Sequence, residues 1–224
     1  MKLAVQKISL KPGSDSVERI LAAAEDLFSE HGYDAVSMSD IALRAGVCKS
    51  NVFHHFSSKD ALYFAVLNDA RQAFFELIDK LHDSEGTIAE RLGKFAELHL
   101  HRIVELGKIS RLVLRDLLGN SPGHGKQLAE NVFNKNFSLL VDTMRVSQQR
   151  GEIRPDVDPA MAAIILISAD VFFFQASSVL QHFPDIDFAN DGNRYSTMLV
   201  DILLYGILPR VPTDPHHDKN IFKR

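Results

Sequence analysis

Apolar residues recur at three- and four-residue intervals along most of this chain, the period of helices that bury one face. In the first such segment Val17, Ile20, Leu21, Ala24, Leu27 and Phe28 share a face. Asp15 and Glu18 have capping-box spacing, and Gly32 supplies the stop. A second start signal at Ser57, Ser58 and Asp60 precedes Leu62, Ala65, Val66, Ala73, Leu77 and Leu81, which predicts one long helix. Further helices are expected at about Ile88–Leu106, Ile109–Leu118, His124–Gln149, Pro159–Leu180 and Asn193–Leu208. Breakers separate them: Pro122 lies within 119–125, and Asp158 before Pro159 is an N-cap with proline in the first turn. No strand pattern competes, so the expected fold class is all-α.

Between the first two long helices, Ile41 to Phe56 reads IALRAGVCKSNVFHHF. Ala42 lies four residues before Gly46, where a small side chain lets two short helices approach and glycine permits the positive φ of a sharp turn. Ile41, Ala45, Val47, Val52 and Phe56 occupy the apolar positions that pack such a pair. Lys49, Ser50, Asn51, Phe53, His54 and His55 are left to face outward, a set of donors plus one ring suited to phosphates and base edges. This is the spacing of a helix-turn-helix that enters a DNA groove.

The stretch from about Val17 to Leu62 resembles the DNA-binding domain of the TetR family of bacterial transcriptional regulators. The resemblance rests on Phe28 with Gly32 and Tyr33, Ser37 to Ala42, Gly46 to Cys48, Phe53 to Phe56, and Ser58 to Leu62. Cys48, Ser50 and Phe53 stand where the family often has Ser, Gly and Tyr. The resemblance implies an N-terminal three-helix DNA-binding domain joined by a long helix to a body that binds an effector and dimerises. Residues 1–14 are then expected to be a flexible basic arm, 15–60 the DNA-binding domain, 61–210 the body and 211–224 a frayed tail. Arg150–Pro159 resembles the linker before the family's penultimate helix.

The net charge of −4 and pI near 6.2 do not mark a generic nucleic-acid binder, so local charge carries that case. Arg44, Lys49 and Lys59 lie between residues 41 and 59 without an acid, and Lys2, Lys7 and Lys11 lie in the first 14 residues, again without one. Lys49, Ser50 and Asn51 open the second helix of the motif, where residues face bases. Lysine suits guanine acceptors, and asparagine suits adenine. Phe53, His55 and Lys59 are expected on the DNA backbone, with Phe53 packing on sugar. Ser37 and Ser39 begin the preceding helix, where free N–H groups attract phosphate or the serines simply cap.

The single cysteine, Cys48, excludes an internal disulfide framework and fits a cytoplasmic setting. Near a helix start its thiol acidity rises, yet a small residue filling the turn explains it as well. The apolar run from Ala160 to Leu180 carries Asp170 near its middle, which in a membrane would cost roughly 2.5–3.5 kcal/mol. It reads as a buried helix. His99 and His101 are two apart on a helix and cannot chelate one metal together, and no zinc, phosphate-loop or nucleophile-elbow motif occurs. No metal, cofactor or enzyme chemistry is expected.

Phe172-Phe173-Phe174-Gln175 carries more apolar bulk than one helix face can bury. It points to burial on two sides, one of them against a partner subunit. With Asn193–Leu208 as its neighbour, Phe172, Phe173, Met198, Ile202 and Leu203 are the expected dimer contacts, forming a four-helix interface. Arg71, Phe74, Arg111, Arg115, Asn131, Phe174 and Gln175, along with Asp170, are candidate effector contacts, since a pocket needs a few oriented polar groups among apolar walls. The reading is a homodimeric, ligand-responsive repressor that binds a palindromic operator on double-stranded DNA and is released by a small apolar effector. The alternative is a helical small-molecule-binding protein or enzyme whose three-helix unit is only a scaffold.

Overall fold

The computed structural model describes residues 12–118, 126 and 129–207, and every regular element among them is helical. Three helices form the N-terminal unit: α1 (Pro12–His31), α2 (Met38–Ala45) and α3 (Lys49–His55). The long α4 (Lys59–Asp83) leaves it for the body, built from α5 (Ile88–Glu105), α6 (Gly107–Leu118), α7 (Asn134–Gln149), α8 (Pro159–Leu180) and α9 (Gly192–Tyr205). A π-helical turn, Ala129–Phe133, leads into α7.

Most starts follow local chemistry. Ser37 and Asp40 close a capping box on α2, Thr87 and Glu90 close another on α5, and Ser58 caps α4 through the Ala61 N–H. Asp158 accepts from the Ala160 and Met161 N–H groups ahead of Pro159, as the sequence predicts. The start of α1 differs. It begins at Pro12, whose fixed φ favours the first turn, so Asp15 lies inside the helix instead of capping it and bonds Arg19. Residues 12–14 of the expected arm are thus helical; residues 1–11, the expected helix start at His124 and the tail lie outside the described residues.

Two cores stack end to end along α4. The first joins Ile20, Phe28, Ile41 and Val52 to Leu62, Tyr63 and Leu67 of α4, and also takes Ile109 and Leu112 from α6. The N-terminal unit is thus not closed at residue 60: α4 and α6 complete it. The second core centres on Ile78, Leu92, Phe95, Leu140, Met144 and Leu166. Each fully buried side chain of this size contributes roughly 1.5–3 kcal/mol.

The helix α8 is long and apolar enough to cross a membrane by length and composition. Here one face packs against α5, α7 and α9, burying Ala163, Leu166, Asp170 and Phe173. The opposite face, with Met161, Ile164, Ile165, Phe172 and Val179, is open in the single chain, so the expected burial is met on one side only. Phe173 corrects the expected dimer set: it is 6% exposed and its ring stacks on Tyr195 at 3.9 Å. Packing within the chain has claimed it. Leu203 likewise leans on the second core, whereas Phe172, Met198 and Ile202 remain outside.

Candidate nucleic-acid interface

The turn between α2 and α3 is built as its sequence requires. Gly46 adopts φ 66°, and the Val47 N–H returns to the Ala42 carbonyl at 3.0 Å, ending α2 sharply. Ile41, Ala42, Ala45 and Val52 are buried beneath this turn, with Val47 and Phe56 packed at its margin. The seven-residue α3 is therefore held by its apolar side, which leaves Lys49, Ser50, Phe53 and His54 exposed on the other. Lys49 Nζ lies 6.0 Å from the centre of the Phe53 ring one turn on, so a cation and an apolar surface are presented together.

Other expected contacts are placed differently. Asn51 is half-buried, and its Oδ1 is buried without a hydrogen-bond partner. Bidentate reading of adenine needs both ends of the amide, so in this rotamer Asn51 cannot perform it. His55 is half-buried with Nε2 3.4 Å from Ser16 Oγ, tying α3 to α1, while His54 stays on the surface side. Lys59 is turned inward: Nζ donates to the carbonyls of Tyr33 (2.9 Å) and Val36 (3.0 Å) and lies 4.1 Å from the centre of the Tyr33 ring. Its first task is to hold the α1–α2 connection against the start of α4.

Ser37 is likewise engaged, its Oγ accepting from the Asp40 N–H at 3.2 Å and donating to the Asp40 carboxylate at 2.6 Å; that hydroxyl and the Ser37 N–H, which donates to the same carboxylate at 2.9 Å, hold the carboxyl below its ordinary range. Ser39 is exposed in the first turn. Cys48 precedes α3 with Sγ 3.1 Å from Ser50 Oγ. That hydrogen bond, with the Asn51 N–H next in weight, lowers the thiol below its ordinary value.

Sequence reasoning missed the cations that seal helix ends inside this unit. Arg19 donates to the Ala45 carbonyl at 3.2 Å, at the end of α2. Arg115 does the same for α1, donating to the Ser29 carbonyl at 2.9 Å and the Phe28 carbonyl at 3.4 Å, so its guanidinium is engaged at the end of α1. The preference of Arg and Lys for last-turn carbonyls was the available signal, but their partners lie 26 and 86 residues away. Lys108 bonds Asp26 at 2.8 Å, and the Tyr63 hydroxyl donates to Asp116. Helix α6 of the body therefore grips the N-terminal unit.

The remaining candidate effector contacts do not converge. Arg71 bonds Asn68 on its own helix and Gln175 is exposed, while Arg111 lies 5.6 Å from the Phe174 ring at the surface. The side chain of Asn131 lies outside the described residues. Phe74 does enter the body, 5.1 Å from the His99 ring, and His99 Nδ1 meets Asp170 Oδ2 at 2.8 Å. Burial raises the Asp170 carboxyl, against the lowering effect of His99. No group of three or more His, Cys, Asp or Glu able to hold a metal occurs among the described residues.

The profile of the "Bacterial regulatory proteins, tetR family" matches residues 20–66, the unit just described. The HTH-type transcriptional regulator UidR of Escherichia coli (strain K12) is 30% identical over 159 residues, covering 66% of this chain and 74% of that relative. Among solved structures, a putative fatty acid metabolism regulator of Clostridium perfringens superposes with TM-score 0.72 at 19% identity, covering 86% of this chain and all of the other. The regulator FadR of Bacillus subtilis in complex with stearoyl-CoA gives TM-score 0.70 at 18% identity, covering 85% and 99%. At those identities the structures share the fold; the UidR match and the profile reach further, and the chain belongs to the TetR family of bacterial transcriptional regulators, with a helix-turn-helix DNA-binding domain.

Proposed function

We propose that the protein acts as a homodimeric repressor, placing one α3 per subunit in successive major grooves of a two-fold operator and leaving it when the body binds a small, largely apolar effector. The observation that carries this reading is the two-sidedness of α3: Val52 is fully buried while Lys49, Ser50, Phe53 and His54 stand exposed on a rigidly capped turn. Lys49 supplies the base-reading donor, Phe53 packs on sugar or a thymine methyl, and Ser39 and His54 meet phosphate. The open apolar faces of α8 and α9, with Phe172, Met198 and Ile202, supply the dimer contact.

Release follows from α6. Because it carries Ile109 and Leu112 into the N-terminal core and Arg115 onto the end of α1, a shift of α6 in the body displaces the DNA-binding unit. A coupling of ~1–3 kcal/mol changes operator affinity 5- to 150-fold. The B. subtilis FadR complex with stearoyl-CoA supports a ligand-binding body by analogy of fold.

The test is quantitative binding of the purified protein to its own upstream intergenic DNA and to scrambled DNA at two salt concentrations. Sequence-dependent binding of one or more dimers per site is expected. Equal, weak binding to both DNAs, with no specific site recovered from genomic fragments, would overturn the reading.

A further inference from the structure

Helices α5 and α9 run antiparallel: a Cβ on Gly192, at the start of α9, would stand 3.2 Å from Leu100 near the end of α5, while Leu204 lines one hollow with Leu92. Between the two helices a cleft of about 460 Å³ opens to solvent. Its charged lining is Glu90, Lys94 and Glu97 from α5 and Asp201 from α9, three carboxylates against one ammonium, a formal charge of −2. Lys94 Nζ pairs with Glu97 at 2.9 Å, but the two side chains are 62% and 37% exposed. Such a pair contributes about 0.2–1 kcal/mol and yields to a competing cation. Glu90 Oε2 accepts from the Thr87 N–H at 2.9 Å and the Thr87 hydroxyl at 3.0 Å, which favours its charged form.

The wall of the cleft also holds a polar atom with nothing to bond. Ser196 lines it, is 1% exposed, and its buried Oγ has no hydrogen-bond partner. Leaving such an atom unmatched costs about 1–3 kcal/mol, which an incoming donor removes. Gly93 lies in the opposite wall, in the interior of α5, where glycine costs about 1 kcal/mol relative to alanine. A Cβ there would touch nothing within 4 Å, so close packing does not require the glycine. Its effect is to keep the cleft open. The antiparallel pairing sets Glu97 near the level of Ser196, with Asp201 and Glu90 toward the other end. Along the helix axes Ser196 and Asp201 are roughly 7.5 Å apart, and Glu97 and Glu90 roughly 10 Å. Val200 and Gly93 lie between these two polar ends.

We propose that the α5–α9 cleft is a binding site for a linear aliphatic diamine, one ammonium resting on Glu97 and Ser196 Oγ and the other on Asp201 and Glu90, with the methylenes over Val200 and Gly93. Two ammonium groups match the excess charge of the lining, and each brings N–H donors to the carboxylates, one of them also to the serine oxygen. The six bonds between the nitrogens of 1,5-diaminopentane extend to roughly 7 Å, since an extended chain gains about 3.3–3.6 Å per three bonds. That is close to the spacing of the two ends. Lys94 gives up Glu97 and turns to solvent. The site is separate from the effector reading above, which calls for a largely apolar ligand, and stands without it.

Calorimetric titration of the full-length protein at low salt compares 1,5-diaminopentane with pentylamine and 1,5-pentanediol, which keep the chain but lack one or both charges. The diamine is expected to bind at least tenfold more tightly than either. Gly93→Leu, a good helix former that fills the cleft without changing its charge, should weaken diamine binding tenfold or more. Glu97→Gln and Asp201→Asn should each weaken it about fivefold and Ser196→Ala about threefold, whereas Lys94→Gln should tighten it. Asp185→Asn, which removes an exposed carboxylate outside the cleft, should leave it unchanged. Thermal unfolding checks that each variant folds, and the surface variants Glu97→Gln and Asp201→Asn carry the test if Gly93→Leu does not. No saturable diamine binding, equal binding of the diamine and pentylamine, or an effect of Asp185→Asn as large as that of Asp201→Asn would overturn the proposal.

Discussion

Replacing Lys59 with methionine separates a structural lysine from a phosphate-binding one. The ammonium makes two charge-assisted hydrogen bonds, to the Tyr33 and Val36 carbonyls, and a cation–π contact with the Tyr33 ring, from a half-buried position. Such bonds contribute about 1.5–3 kcal/mol each when fully buried; partial solvent screening reduces them to about 1 kcal/mol apiece. The ring adds about 0.5–1 kcal/mol. Against this, a cation in the first turn of α4 opposes the helix dipole by roughly 0.5 kcal/mol. The balance is a loss of about 2 kcal/mol, a fall in melting temperature of roughly 4–8 °C for a chain of this length. The assay is thermal unfolding at fixed protein concentration, paired with operator affinity as a function of salt. For every phosphate that the protein no longer neutralises, the slope of log K against log salt falls by about 0.9, hence by about 1.8 when both subunits of a dimer carry the substitution. The expected result is a clear loss of stability with the slope changed by much less than that. Unaltered stability with a slope lowered by about 1.8 would refute the inward assignment.

Lys49→Ala should do the converse, leaving the melting temperature within about 2 °C because the side chain is exposed, while weakening operator binding and altering preference at one base pair by about 1–3 kcal/mol; competition with single-base operator variants reads this. Phe172→Glu places a charge on a ring that is 67% exposed in the single chain, so it should preserve the fold by circular dichroism yet give monomers in sedimentation and abolish tight operator binding. Cys48 should react with iodoacetamide along a pH curve shifted below that of an ordinary thiol, because thiolate is favoured by Ser50 and the Asn51 N–H. Ser50→Ala should move the curve back up, and an identical curve in the variant would contradict the cause assigned.

What was legible in the sequence was local. Gly46 and Ala42 declare the turn because backbone φ and the close approach of two helices leave few residues able to serve, and Asp158–Pro159 declares a helix start for the same kind of reason. The residues that sequence alone misplaces are those whose partner lies far along the chain. Lys59 and Arg115 have the look of free cations until the fold brings carbonyls 23 to 87 residues away against them. Asn51 and His55 share the short α3 with the exposed readers, yet helix rotation turns the asparagine carbonyl and the imidazole toward the domain. A continuous aromatic run also conceals its own division: Phe172 faces out while Phe173 is taken by Tyr195. The His99–Asp170 pair joins two helices, and in the sequence neither residue points to the other: Asp170 interrupts an apolar run, and His99 draws notice only beside His101.

The central claim, specific reading of DNA by a two-fold pair of α3 helices, is tested most directly by selecting bound sequences from a random double-stranded pool with the full-length protein. A two-fold symmetric motif with half-site centres about one helical turn apart, ~34–36 Å, or a multiple of it, is predicted. The symmetric positions should relax when selection is repeated with Lys49→Ala. An unenriched pool, or a motif without two-fold symmetry that Lys49→Ala leaves unchanged, would contradict it.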